Sequence, residues 1–248
     1  MKNIALQLYS VRDATDMDFL GTLENVAEMG YQAVQFAGFN NHPAEVVKSK
    51  LAQVELEIAG SHVTIDQLQN HLDDVLRYQE SLGNHLIICP VLPESMRLTT
   101  EDYKRTSELL NEIGRKMKGS GFDFGYHNHA FEFQLFDGKT GFDLLYENVD
   151  SEYMKMELDC FWASYAGYDP VNIMKKYGDR CVTLHVKDMK KSGDKKVSTE
   201  IGNGVLDIES LIRAGEENHV KWFVVEQEDF LQDPLISAKE NVERLQNF

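Results

Sequence analysis

"EDYKRTSELLNEIGRKMKGSGFDFGYHNH" (residues 101–129) joins an amphipathic, helix-period segment to a strand-length run through a glycine-containing turn. Thr100 is placed to cap the start of the helix and Gly119 to stop it. In the run that follows, Phe122, Phe124 and Tyr126 share one parity and Asp123, Gly125, His127 and His129 share the other. Strand side chains alternate between faces, so this run presents an aromatic face and a polar one.

The same unit recurs along the whole chain. Strand candidates are residues 3–9, 31–38, 56–63, 85–91, 122–129, 154–162, 181–188 and 221–228, separated by amphipathic segments such as "MDFLGTLENVAEMG", where Gly30 fits a helix stop. Eight strand and helix pairs at about 31 residues each predict an α/β fold, a closed parallel (β/α)8 TIM barrel, as a single domain over residues 1–248. No linker or low-complexity tract interrupts the series. The charged loop "KDMKKSGDKK" (187–196) reads as a solvated excursion.

Composition narrows the function classes. With 42% hydrophobic and 27% charged residues the chain can bury a sizeable core. Its 41 acidic against 25 basic residues, a formal charge of −16, would repel a nucleic-acid backbone and an anionic membrane surface. Cys89, Cys160 and Cys181 lie in apolar runs without CxxC spacing and read as buried thiols of a reducing compartment. "MKNIALQLYS" lacks the pattern of a signal peptide and no run reaches membrane-span length, so the expectation is a cytoplasmic protein with no membrane partner. A homo-oligomer is an open alternative to a monomer. No GxxxxGK[ST] or GxSxG motif occurs, and "GNG" (202–204) reads as a tight loop.

In a barrel of this kind ligands bind at the C-terminal ends of the strands. Inward parity places His127 and His129 on the fifth strand, Lys155, Glu157 and Asp159 on the sixth, Thr183, His185 and Lys187 on the seventh, and Glu226 and Glu228 on the eighth. Glu157, Lys155 and Thr183 read as members of a hydrogen-bonded core layer. The others converge on one mouth, where a carboxylate cluster needs a compensating cation. Imidazoles with carboxylates suit one divalent metal ion such as Mn²⁺, Co²⁺, Zn²⁺ or Mg²⁺. Further candidates for substrate contact are Gln7 and Tyr9, of inner parity on the first strand, and Trp162, which could stack on a sugar or cap the core. His62 has outward parity and reaches the mouth only if a bulge or the strand's end turns it inward.

The ordered set "YHNHAFEF", "ELDCFWASYAG", "LHVKDM", "IGNGVLDI" and "VVEQED", with "LQLYSVRD" near the start, resembles the xylose-isomerase-like TIM-barrel superfamily, the sugar phosphate isomerase and epimerase group related to inosose dehydratases. The resemblance implies a divalent metal held by an acidic residue after the fifth strand, then by an Asp, a His and a Glu that map onto Asp159, His185 and Glu226. The first ligand has two candidates. His127 stands where many members carry a glutamate, and Glu132 is the nearest carboxylate. The charge match favours Glu132 as ligand, with His127, His129 and His62 as substrate contacts. The expected activity is a metal-dependent sugar isomerase or epimerase working through an enediolate, with Glu226 or Glu132 as base and Lys187 stabilising the developing charge. The alternatives are a dehydratase or lyase on an inosose or 3-keto-glycoside, and a non-catalytic sugar-binding barrel.

Overall fold

A computed structural model describes residues 3–248. Eight strands, β1 (Ile4–Gln7), β2 (Ala33–Phe36), β3 (Glu57–His62), β4 (Leu86–Cys89), β5 (Asp123–His127), β6 (Lys155–Asp159), β7 (Cys181–Val186) and β8 (Trp222–Val225), close into one parallel barrel in chain order, with β1 pairing β8. Eight main helices alternate with them: α1 (Phe19–Glu28), α2 (Ala44–Val54), α3 (Leu72–Leu82), α4 (Thr100–Gly119), α5 (Gly141–Asn148), α6 (Pro170–Tyr177), α7 (Ile208–Glu217) and α8 (Pro234–Leu245). The eightfold repeat read from the sequence is the observed barrel.

The opening stretch shows how one unit is built. Helix α4 buries Tyr103, Leu110, Ile113 and Met117 on its inner face, and the cap is Thr99, one residue before the expected Thr100, accepting the Asp102 backbone N–H at 3.1 Å. Glu101 and Asp102 occupy its first turn and Lys116 and Lys118 its last, the signs that complement the helix dipole. Gly114 lets the helix touch its neighbour, since a Cβ there would fall 2.0 Å from the Tyr153 carbonyl oxygen.

The two faces of each strand behave as their parity predicts. Leu6, Val34, Ile87, Phe124, Met156, Leu158, Leu184 and Val225 point outward into the apolar layer beneath the helices, all essentially inaccessible. Inside, Ala5, Ala33 and Ala59 leave room for Trp222 and Val224 at the barrel floor. Above them lies a polar layer of Gln7, Gln35, Glu157, Thr183 and His185. The charged loop after β7 is an antiparallel hairpin, Asp188–Ser192 with Lys195–Thr199, whose tip is exposed. Cys89, Cys160 and Cys181 are buried free thiols. Among the described residues no helix is long and apolar enough to cross a membrane.

Candidate active site

The C-terminal ends of four neighbouring strands deliver four ligand-type side chains to one point. His127 ends β5, Asp159 ends β6 and pairs in register with His185 of β7, and Glu226 follows β8. Their ligand atoms all lie within 4.8 Å of one another, and all four residues are buried. Asp159 Oδ2 is 3.8 Å from His127 Nε2 and 4.0 Å from His185 Nδ1, while Glu226 Oε2 is 3.1 Å from His185 Nδ1. Asp159 is held in place by its other oxygen, which accepts the Trp162 backbone N–H at 2.7 Å and caps the short helix that begins there.

Among the described residues, Lys187 supplies the only lysine charge within this group. Its Nζ lies 2.7 Å from Glu226, 2.6 Å from Glu228 and 3.0 Å from Asp159. Burial works against an ammonium, but Asp159, Glu226 and Glu228 outweigh it and hold the Lys187 pKa well above its ordinary value. The Glu226 carboxyl is held well below the usual range: burial opposes ionisation, and Lys187 and His185 overcome it. His185, despite burial, is pushed up to about 10 by Glu157 and Glu226. His127 moves the other way, lowered by burial and by the neighbouring His185.

A second carboxylate lies one layer deeper. Glu157 Oε1 is 2.6 Å from His62 Nε2, 3.1 Å from His127 Nδ1 and 3.0 Å from His185 Nε2. Burial would keep it neutral, yet the imidazoles of His185, His62 and His127 hold its pKa well below the ordinary glutamate value. His62 arrives there through a bulge. The β2–β3 register shifts between Val34 and Gln35, which pair with Ile58 and Gly60, and Gly60 adopts φ +135°. The extra residue flips the parity that follows: Ser61 bonds Gln79 on the helix side at 3.0 Å, and His62 turns inward.

Above the cluster opens a cavity of about 360 Å³, lined by Tyr9, His62, His127, His129, Glu226 and Glu228 together with Ala37, Thr64, Pro90 and Val91. The donor set fits a divalent ion. Two imidazoles and two carboxylates match borderline or hard metals, and buried Asp159 Oδ2 accepts no aligned hydrogen bond although Lys187 Nζ is 3.0 Å away. Such an orphaned anionic oxygen facing two imidazoles is what a metal would satisfy.

The sequence profile described as xylose isomerase-like TIM barrel matches residues 23–248. The chain belongs to this family. Within it, the chain is 24% identical to the inosose dehydratase of Geobacillus kaustophilus, over 90% of this chain and 86% of that protein. It is 25% identical to the inosose dehydratase of Clostridium beijerinckii, over 90% and 87%. A sugar phosphate isomerase/epimerase structure from Parabacteroides distasonis superposes with a TM-score of 0.86 at 23% identity, over 100% of this chain and 99% of that one, a likeness of fold.

For this xylose isomerase-like barrel the structure redistributes several expected roles. Glu132 does not join the ligand group. Its oxygens accept from the Tyr126 hydroxyl and, at 2.7 Å, from the His129 backbone N–H. Tyr126 is on the helix-facing side of β5, so Glu132 lies behind the strand rather than in the mouth, and His127 takes the place assigned to it. Burial pushes the Glu132 pKa up to about 7. His127 therefore moves from substrate contact to ligand group, while His129 and His62 do line the cavity. Burial, with His127 and Lys187 nearby, drives the His129 pKa down to about 2.

Gln7 faces inward as expected but is sealed in the polar layer, donating to Gln35 Oε1 at 2.7 Å, whereas Tyr9 reaches the cavity rim. Trp162 is not among the cavity-lining residues; its ring lies 5.5 Å from Lys187 Nζ, in cation–π range. Two residues were undervalued from the sequence. Glu157, read as a layer filler, touches three histidines, and Gln35 joins it through a 2.5 Å hydrogen bond. The signal available was their inward parity, which marks every residue of the layer equally.

Proposed function

We propose that this chain is a divalent-metal-dependent enzyme that removes the proton beside the carbonyl of a neutral keto-sugar or keto-polyol and then expels the β-hydroxyl as water. The observation that carries the reading is the convergence of His127, Asp159, His185 and Glu226 under a monosaccharide-sized cavity. His127, Asp159, His185 and Glu226 would hold the ion, and the ion, when bound, supplies Lewis-acid polarisation of the carbonyl. Glu226 is the base: Oε2 is held by Lys187 and His185, and Oε1 is taken by no described residue. Lys187 stays cationic and stabilises charge developing on the substrate oxygen. Its contact to Glu228, whose side chain is 33% exposed at the rim, is the one a substrate oxygen can displace. His62 and His129 come from β3 and the loop after β5, across the ring from β8, and supply hydrogen bonds on the other side of the substrate.

The neutrality of the substrate follows from the walls. No lysine or arginine lines the cavity among the described residues, and Glu226 and Glu228 do, so a phosphate dianion would meet like charge. Elimination is favoured over simple proton return by the inosose dehydratases that align over 90% of the chain. Isomerisation or epimerisation is the second reading, supported by proton-handling groups on opposite sides of one cavity.

The test is a proton NMR screen in D2O. Chelator-treated protein is reconstituted with Mn²⁺, Co²⁺, Zn²⁺ or Mg²⁺ and given inososes, ketoses, 3-keto-glycosides and their phosphates, with diamagnetic quench before measurement. Metal-dependent deuterium incorporation beside the carbonyl and loss of water from a neutral substrate are expected. Exchange without reversible formation of a dehydrated product moves the assignment to the isomerase reading. Turnover confined to phosphorylated substrates, or undiminished by chelation, overturns it.

A further inference from the structure

Both imidazoles of the proposed metal centre divide their nitrogens between two layers. His127 directs Nδ1 to Glu157 Oε1 at 3.1 Å and Nε2 towards Asp159 at 3.8 Å. His185 does the reverse: Nε2 is hydrogen-bonded to Gln35 Oε1 at 2.7 Å, with Glu157 Oε1 3.0 Å away, and Nδ1 faces Glu226 at 3.1 Å. The rings sit edge to face, with centroids 4.5 Å apart and planes at 67°. An ionised carboxylate only accepts hydrogen bonds, so a nitrogen held against it must carry a hydrogen, and the opposite nitrogen of a neutral ring must then carry the lone pair.

We propose that Glu157 is the positioning residue that sets the tautomer of His127, with the hydrogen on Nδ1 and the metal-facing lone pair on Nε2, and that it acts on His185 through Gln35, whose side chain it holds and whose Oε1 keeps the hydrogen of His185 on Nε2. Glu157 is itself locked: Oε2 accepts Gln35 Nε2 at 2.5 Å and Thr183 Oγ1 at 2.8 Å, and Gln35 is braced by Gln7. His62 occupies the same Oε1 at 2.6 Å, so the carboxylate cannot swing without breaking contacts from β2, β3, β5 and β7 at once. The bulge at Gly60 has a purpose in this scheme, because it brings His62 to the carboxylate that orients the ligands. The inference rests on the metal-centre reading, but the tautomer of His127 is a property of the protein without metal.

Two measurements separate the cases. Long-range ¹H–¹⁵N spectra of selectively labelled, metal-free protein should place the His127 proton on Nδ1; a proton on Nε2 overturns the proposal whatever the protein's activity. In the zinc-loaded protein His185 should carry its proton on Nε2. By chelator competition, Glu157→Gln should weaken Zn²⁺ or Mn²⁺ binding about 10- to 100-fold, the usual cost of losing such a partner, because an amide can present an N–H to His127 Nδ1 and reverse its tautomer. Glu157→Asp keeps the acceptor chemistry and should recover part of the affinity; it also serves where the amide variant does not fold. Unchanged affinity and unchanged His127 tautomer in either variant overturn the role of Glu157. Wild-type protein that binds no divalent metal sinks the proposed function alone, and the His127 spectrum then decides the inference.

Discussion

Replacing Glu132 by Gln should make the protein's stability less sensitive to pH, by an amount the structure lets us work out. Glu132 is fully buried, and burial raises its pKa from 4.5 to about 7 against the opposing effect of hydrogen bonds from Tyr126 and the His129 N–H. A raised folded-state value means that the native protein binds the proton more tightly than the unfolded chain. That contribution is complete below pH 4.5 and is lost as pH rises through 7, where the acid must ionise in a buried site. At 1.36 kcal/mol per pH decade the loss is about 3 kcal/mol. Glutamine imitates the protonated acid and does not titrate. The stability of Glu132→Gln minus that of wild type should therefore grow by about 3 kcal/mol from pH 4.5 to pH 8. Urea unfolding of both proteins in chelator across this range gives the difference directly, since groups common to both cancel. A difference that stays constant within about 1 kcal/mol, or declines, would refute the reasoning. The same variant should bind divalent metal with wild-type affinity; weakened binding would return Glu132 to the ligand set.

Lys187→Met should destabilise the metal-free protein by about 3–5 kcal/mol, the cost of stranding buried carboxylates without their partner; added Mn²⁺ should then raise its melting temperature more than it raises that of wild type, and equal shifts would argue against a shared compensating role. Asp159→Asn keeps the helix cap at Trp162, because asparagine also caps, yet should weaken metal binding more than the roughly 10- to 100-fold expected for Glu157→Gln; full affinity by chelator competition would remove Asp159 from the ligand set. Gly60→Ala places a Cβ 3.2 Å from Ile88 Cδ1 and 3.3 Å from the Leu86 carbonyl at φ +135°, and should cost about 1–3 kcal/mol, seen as a lower urea midpoint. An unchanged midpoint would mean that the bulge relaxes freely.

What could be read without coordinates follows from one-dimensional periodicity. Strand runs alternate with helix-period segments eight times, and the parity within each run separates a helix-facing row from a barrel-facing row. Those patterns are local, so the barrel and the inward set of Asp159, His185, Lys187 and Glu226 were legible from the amino-acid sequence. Parity breaks down wherever the chain leaves the regular pleat, as it does at His62, whose inward turn was expected only through a bulge, and at Glu132, which was assigned to the ligand group. His62 is turned by a bulge that depends on a register between two strands, and Glu132 lies in a 3-10 turn whose direction depends on the hydroxyl of Tyr126.

Glu157 shows the remaining limit. Its inward position was evident, but Lys155 and Thr183 share that parity, and nothing along the chain distinguishes a residue that fills a layer from one on which three histidines converge. His62, His127 and His185 lie up to 123 positions apart in sequence (185 minus 62) and meet only because the barrel closes. The sequence by itself determined which elements form and which face of each looks inward, because those depend on neighbours two to four residues away. The tertiary structure alone decided which inward groups touch, because distances of 3 Å between strands are set by register, bulges and ring closure acting together.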